Sequence, residues 1–259
     1  PLFFSKPNPA YEIRLSLVGS EMCIRDRIKD ILQDNTSVRW PEAELLRFVN
    51  DAQREIVNYR PESSATTSNV QLVTGTKQTL PSGGLRLIKV TRNMSDASGG
   101  ATGKRAVRIV NVDILNTQEP DWNDPTVAGD AAHGTVVKHY IFDEDDPRNF
   151  YVYPGVAGNA YVEIVFSNSP TDLANTSATI SVDDIYANAI VDYVLFRAYQ
   201  KDSEYAGNAQ RAGTHYQLFL NCIGQGSQAQ ELVSPNNDRT ANIGAAAPTI
   251  PVPPQAQGR

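Results

Sequence analysis

The sequence is poor in the residues that most metal and redox chemistry requires. Among 259 residues there are two cysteines, Cys23 and Cys222, and three histidines, His133, His139 and His215. Two thiols make neither a disulfide framework nor a four-cysteine zinc site. No histidine has another four residues away and no H-E-x-x-H occurs, which excludes the common zinc-protease pattern. A G-x-S-x-G nucleophile elbow is also absent. No apolar run approaches the ~18 residues of a membrane-spanning helix. There is no basic excess either: 23 Lys and Arg face 29 Asp and Glu, a net charge of -6. That balance argues against a dedicated nucleic-acid binder. What remains, 41% hydrophobic and 20% charged, suffices to bury a core.

Near-motifs are weak. Gly99-Gly100-Ala101-Thr102-Gly103-Lys104 resembles a phosphate loop, but Ser98 and Arg105 stand where glycine and a hydroxyl residue are needed. It reads as a hairpin. The acidic run at 143–146 lacks EF-hand spacing and is cut short by Pro147, so it reads as a solvated turn. Cys222, near the end of an apolar helix, reads as a small buried hydrophobe. A carboxylate pair for glycan cleavage is set by three-dimensional spacing, and the sequence selects none.

Residues 17–27, Leu-Val-Gly-Ser-Glu-Met-Cys-Ile-Arg-Asp-Arg, resemble a translated transposase-type sequencing adaptor. Ala10-Tyr11-Glu12-Ile13 fits its upstream end, and residues 1–9 fall outside the match. Residues 1–27 are therefore set apart as non-native, which leaves Cys222 as the only thiol of the remainder.

From residue 28 the pattern is helical. Ile28, Ile31 and Leu32 fit the last turns of one helix, and 34–37 is a turn cluster. Pro41, Glu42 and Glu44 suit a helix start. Leu45, Val49, Ala52 and Ile56 form its apolar stripe, broadened by Leu46 and Val57, with Arg47, Asn50, Asp51, Arg54 and Asn58 opposite. Pro61 ends it. Short β-type runs follow at 70–73, 85–91, 107–112, 136–142, 150–153 and 161–166, a pattern of sandwich or barrel-like units rather than βαβ units. Residues 116–134, carrying Pro120, Trp122, Pro125 and Gly129, read as a long exposed loop. Helical spacing returns over 185–199, apolar on most sides and hence buried on most sides. A second helix follows with Tyr205, Ala209, Ala212, Tyr216, Phe219 and Ile223 in line. Gly207 and Gly213 weaken it, and Gly224 and Gly226 close it. Tyr186, Tyr193, Phe196, Tyr199, Tyr205, Tyr216 and Phe219 concentrate in these two helices. Core packing accounts for most of them, and contact between subunits is the sharper alternative.

The expected fold class is α+β. Helices at 28–62 and 181–226 form one bundle, an antiparallel β-sandwich-like unit at 63–180 is inserted between them, and 227–259 is an extended Pro- and Ala-containing tail.

Three stretches carry a family likeness. Val38-Arg39-Trp40-Pro41-Glu42-Ala43-Glu44-Leu45-Leu46, continuing to Asn50-Asp51-Ala52-Gln53-Arg54-Glu55-Ile56, resembles the opening helix of phage adaptor (head-to-tail connector) proteins. Asp192-Tyr193-Val194-Leu195-Phe196-Arg197-Ala198-Tyr199-Gln200-Lys201-Asp202-Ser203-Glu204 resembles their penultimate helix, and Phe150-Tyr151-Val152-Tyr153-Pro154 their central strand. The order over about 28–225 is similar to that of the tail tubular adaptor of short-tailed phages. The resemblance implies a structural virion protein of the tail or neck, assembled in the host cytoplasm. It implies a ring, dodecameric by family analogy, between the portal protein and the tail nozzle or next tail protein. DNA would pass through its lumen without sequence-specific binding, and no membrane is involved. It implies no enzyme activity, catalytic residue, cofactor or metal. Trp40, Arg54, Tyr193, Arg197 and Tyr199 are the candidate protein-interface residues, with packing and ion pairing inside the chain as their plainer role. A receptor- or carbohydrate-binding β module is the first alternative, for which Trp122 is the one loop aromatic. A glycan-cleaving tail enzyme is the second.

Overall fold

The computed structural model describes residues 21–175, 178–205 and 207–233. Apolar side chains at Ile24, Ile28 and Leu32 recur at four-residue spacing and bury one side of α1 (Glu21–Leu32). Its first turns lie inside the stretch set apart above as 1–27. Pro41 then precedes α2 (Glu42–Tyr59), whose buried face is Leu45, Val49, Ala52, Ile56 and Val57, as the spacing predicts, together with Asn50 and Gln53. Asn50, expected on the outer face, is a correction. Its amide accepts from Leu173 N–H at 2.9 Å and donates to Leu173 C=O at 3.4 Å, while Gln53 accepts from Ser181 N–H at 2.6 Å. Two amides thus satisfy backbone groups of the incoming 171–181 segment, which is why polar residues sit on an apolar face.

Eight strands follow: β1 (Ala65–Gln71), β2 (Gly75–Thr79), β3 (Gly84–Met94), β4 (Gly103–Ala106), β5 (Arg108–Ile109), β6 (His139–Phe142), β7 (Asn149–Val156) and β8 (Tyr161–Asn168). They form two four-stranded sheets, ordered β1-β8-β3-β4 and β2-β7-β6-β5, and among the described residues neither closes into a barrel. Val162, Ile164 and Phe166 of β8 are buried in alternation, and they share one core with Phe150 and Val152 of β7. The glycine-rich turn joins β3 to β4, and the acidic run joins β6 to β7.

Two expectations fail here. The β unit is not wholly antiparallel, because β5 pairs parallel to β6; the chain crosses from one sheet to the other at Val107, and a long connection from β5 brings it back alongside as β6 of the same sheet. That connection is not simply a loop. Asn111 caps α3 (Val112–Gln118) by accepting from Asp113 N–H at 2.8 Å, the expected role of Asn at that position. Trp122 is 3% exposed, packed with Leu115, Ala131, Ile141 and Tyr153 in a small separate core.

The chain re-enters the helical part at α4 (Ala187–Lys201) and α5 (Asn208–Val233). Helix α4 buries Ala189, Ile190, Val191, Tyr193, Val194, Leu195, Ala198 and Tyr199. Tyr205 lies before α5 and is 61% exposed, and Gly207, at φ +86°, belongs to the turn rather than the helix. Gly224 and Gly226 do not end α5, which continues to Val233. Residues 234–259 of the expected tail lie outside the described residues. Buried side chains of α1, α2, α4 and α5 belong to one core. Ser64 Oγ donates to Asn168 C=O at 2.8 Å where that helical core meets β8. Among the described residues no helix is long and apolar enough to cross a membrane.

Candidate interaction surfaces

The five residues singled out from sequence occupy separate places in the helical part. Trp40 is 6% exposed and closes the α1–α2 corner. Its neighbour Arg39 lies 5.1 Å above the Trp40 ring and 4.4 Å above the Tyr205 ring, and pairs with Asp202 at 2.6 Å. That side-chain bond to Asp202 raises the Arg39 guanidinium above its ordinary value. The corner between α1 and α2 is thereby tied to the one between α4 and α5. Arg39 was quoted in the sequence likeness but not chosen; its place beside Trp40 was the available signal.

Arg54 is exposed and bonds Asp51 and Asp172. Tyr193 lies 5.1 Å from the Phe219 ring and 5.8 Å from Phe196. Burial pushes its hydroxyl above the usual tyrosine range. Tyr199 stacks on His215 at 5.7 Å, with Arg211 at 5.8 Å over the same ring, and His215 Nδ1 is 2.9 Å from Asp192. Arg197 lies over Phe48 at 5.6 Å and lines a shallow groove of about 340 Å³ with Glu44, Gln200 and Lys201. Lys201 pairs with Glu44 across that groove at 2.7 Å. So Trp40, Tyr193 and Tyr199 pack inside the chain, while Arg54 and Arg197 keep surface outside it. No two of the five share a ring contact or an ion pair among the described residues.

Further aromatics extend from Tyr193. Phe219 and Tyr216 stack at 6.1 Å, Phe196 lies 4.9 Å from Tyr216, and Tyr59 meets Phe219 edge-on at 6.5 Å. The hydrogen bond with Tyr59, more than burial, raises the Tyr216 hydroxyl. Cys222 is partly buried, and burial pushes its thiol up, away from nucleophilic use.

A second surface, on the β unit, had no counterpart in the sequence reading. A groove of about 510 Å³ is lined by Val112, Asn116, Trp122, Asn123, Ile141, Phe142 and Tyr151, together with Asp143 and Glu144. The indole N–H of Trp122 donates to Asn116 at 2.9 Å. Ile109, Val112 and Ile114, on β5 and α3, are 64%, 40% and 52% exposed. Reading this region as strand and loop hid the helix that builds one groove wall. Among the described residues no group of three His, Cys, Asp or Glu side chains is placed to hold a metal ion.

A family model described as SU10 adaptor protein matches residues 24–241. No curated protein matches the chain.

Proposed function

The chain belongs to the SU10 adaptor protein family, and from that premise we propose that this phage adaptor forms a ring joining the portal to the next tail protein, with DNA passing through its lumen. The observation that carries the proposal is the family match, which spans both helical segments and the β unit between them. We read the helices as one bundle and the two sheets as a sandwich, which divides the work. The helical unit supplies packed, ion-paired faces, among them the Arg197 groove and the exposed Arg54, for the portal and neighbouring subunits. The β unit projects toward the distal tail. Symmetric recognition of this kind needs complementary surfaces and no catalytic residue. Residues 1–23 and 242–259 lie outside the family match.

The carbohydrate-binding alternative is less well supported. Sugar stacking uses an open aromatic face, whereas Trp122 is almost fully buried, with its N–H taken by Asn116.

Light scattering after size exclusion tests the proposal, on the chain alone and mixed with the portal protein of the same genome. A ring-sized complex with portal is expected. A chain that ignores portal yet binds glycans would sink the adaptor ring and favour the alternative.

A further inference from the structure

Charge on the β unit is segregated. Strands β4 and β5 are edge strands of their respective sheets and follow one another in the chain. Lys104 and Arg105 of β4 and Arg108 of β5 are exposed, and none has an ion-pair partner among the described residues. Ile109, beside them, is 64% exposed. His139 adds no charge to this edge at neutral pH: burial first, then Arg105, pushes its imidazole below the ordinary range. On a chain of net charge -6, Lys104, Arg105 and Arg108 gather positive charge on two consecutive edge strands, with Asp96 acting on Lys104. The groove on the same unit has the opposite character. Its lining sets Ile141, Phe142 and Tyr151 beside the amides of Asn116 and Asn123, and it carries Asp143 and Glu144, both exposed. Glu144 has only a 4.0 Å approach from Arg86, and Asp143 accepts a backbone bond from Asp145.

We propose that the cationic β4–β5 edge of one copy docks against the groove of the next that carries Asp143 and Glu144. Arg105 and Arg108 meet Asp143 and Glu144 there, and Ile109 meets the apolar side chains of the lining. Both halves of the contact are present on this chain, which identifies a second copy as the occupant. The two patches adjoin, since Ile109 pairs with Tyr140 next to Ile141 of the groove, but they share no residue; the edge of one copy in the groove of the next is a head-to-tail contact, which makes a ring where its rotation closes. The two edge strands are four and two residues long, too short and charged to add a strand to another sheet, so their side-chain charge is what selects a partner. This inference rests on the ring reading and locates one of its contacts in the β unit.

The test uses the full chain and two charge reversals, Arg105→Glu with Arg108→Glu, and Asp143→Lys with Glu144→Lys. Mass is measured by light scattering across concentration at low and high salt, with and without portal protein. The wild-type chain is expected to self-associate, more strongly at low salt because exposed ion pairs are screened. Each reversal alone should weaken association by at least about tenfold, and the chain carrying all four should recover it. Recovery excludes misfolding as the cause of the loss. A wild-type chain that stays monomeric in every condition overturns the contact, as do assembly indifferent to both reversals and loss without recovery in the combined variant. Assembly that follows this pattern in a chain that ignores portal counts against the adaptor reading alone. Portal-bound rings unaffected by the reversals count against this contact alone.

Discussion

Asp34 accepts the backbone N–H groups of Val38, Arg39 and Trp40 at 3.0, 2.9 and 2.9 Å. One carboxylate therefore closes the corner between α1 and α2 and seats Trp40 beneath Arg39. The bond from Trp40 N–H is the largest cause holding the Asp34 carboxyl below its ordinary range. A carboxyl depressed in the folded state stabilises the fold above the unfolded-state value, and that stabilisation is lost as pH falls through the folded value. Asp34→Asn should accordingly lower the thermal midpoint at neutral pH, and the gap to the native sequence should close as the medium becomes acidic. Calorimetry or circular dichroism melts over a pH series measure this; a gap independent of pH would remove the carboxylate charge from the account. The turn cluster at 34–37 was legible in sequence. Which three N–H groups its first residue receives was not, because that depends on the approach of the chain four to six residues later.

Among the elements, α2 and α4 follow their sequence patterns closely, since an apolar stripe with a 3.6-residue period leaves few ways to bury itself. Helix α5 does not. Its start moves past Gly207, which turns the chain at positive φ, and its end passes two glycines, each a cost of only about 1 kcal/mol relative to alanine. The element is held by Phe219, fully buried against the rings of Tyr59, Tyr193 and Tyr216. Phe219→Ala should destabilise the chain by about 3–5 kcal/mol in urea unfolding, with Phe219→Leu costing less. A loss below about 1 kcal/mol would mean that the helix is not anchored there. Helix α3 was missed because a seven-residue helix offers barely two turns of periodicity. Its cap, Asn111 two residues before Asp113, was the only local sign.

At the scale of the whole molecule, the helical core and the main core of the β unit are separate clusters with no buried residue in common among the described residues. Ile56, in the first, and Ile164, in the second, are both fully buried. Ile56→Ala and Ile164→Ala should each cost about 2–5 kcal/mol, and the double variant should equal their sum within about 0.5 kcal/mol. Urea titrations of the two single variants and the double variant measure the difference. A larger departure from the sum would show that the two cores are energetically coupled through the junction at Ser64 and Asn168.

Local pattern in the sequence was enough to assign the α+β class, to locate the helices lining the common core and to mark the alternation of β8, because burial of a stripe or a face is a property of neighbouring residues. The motifs around Trp40 and Tyr193 were enough for the family likeness, and the SU10 adaptor match agrees with it. Only the tertiary structure decided which side chains share a surface. It paired Arg39 with Tyr205 and Asp202, distant in sequence, and turned Asn50 inward onto Leu173. It also folded residues 110–134 over Trp122 and built the groove from α3, β6 and β7. Those outcomes depend on long-range packing and on which backbone groups need partners, and neither is written in the spacing of nearby residues.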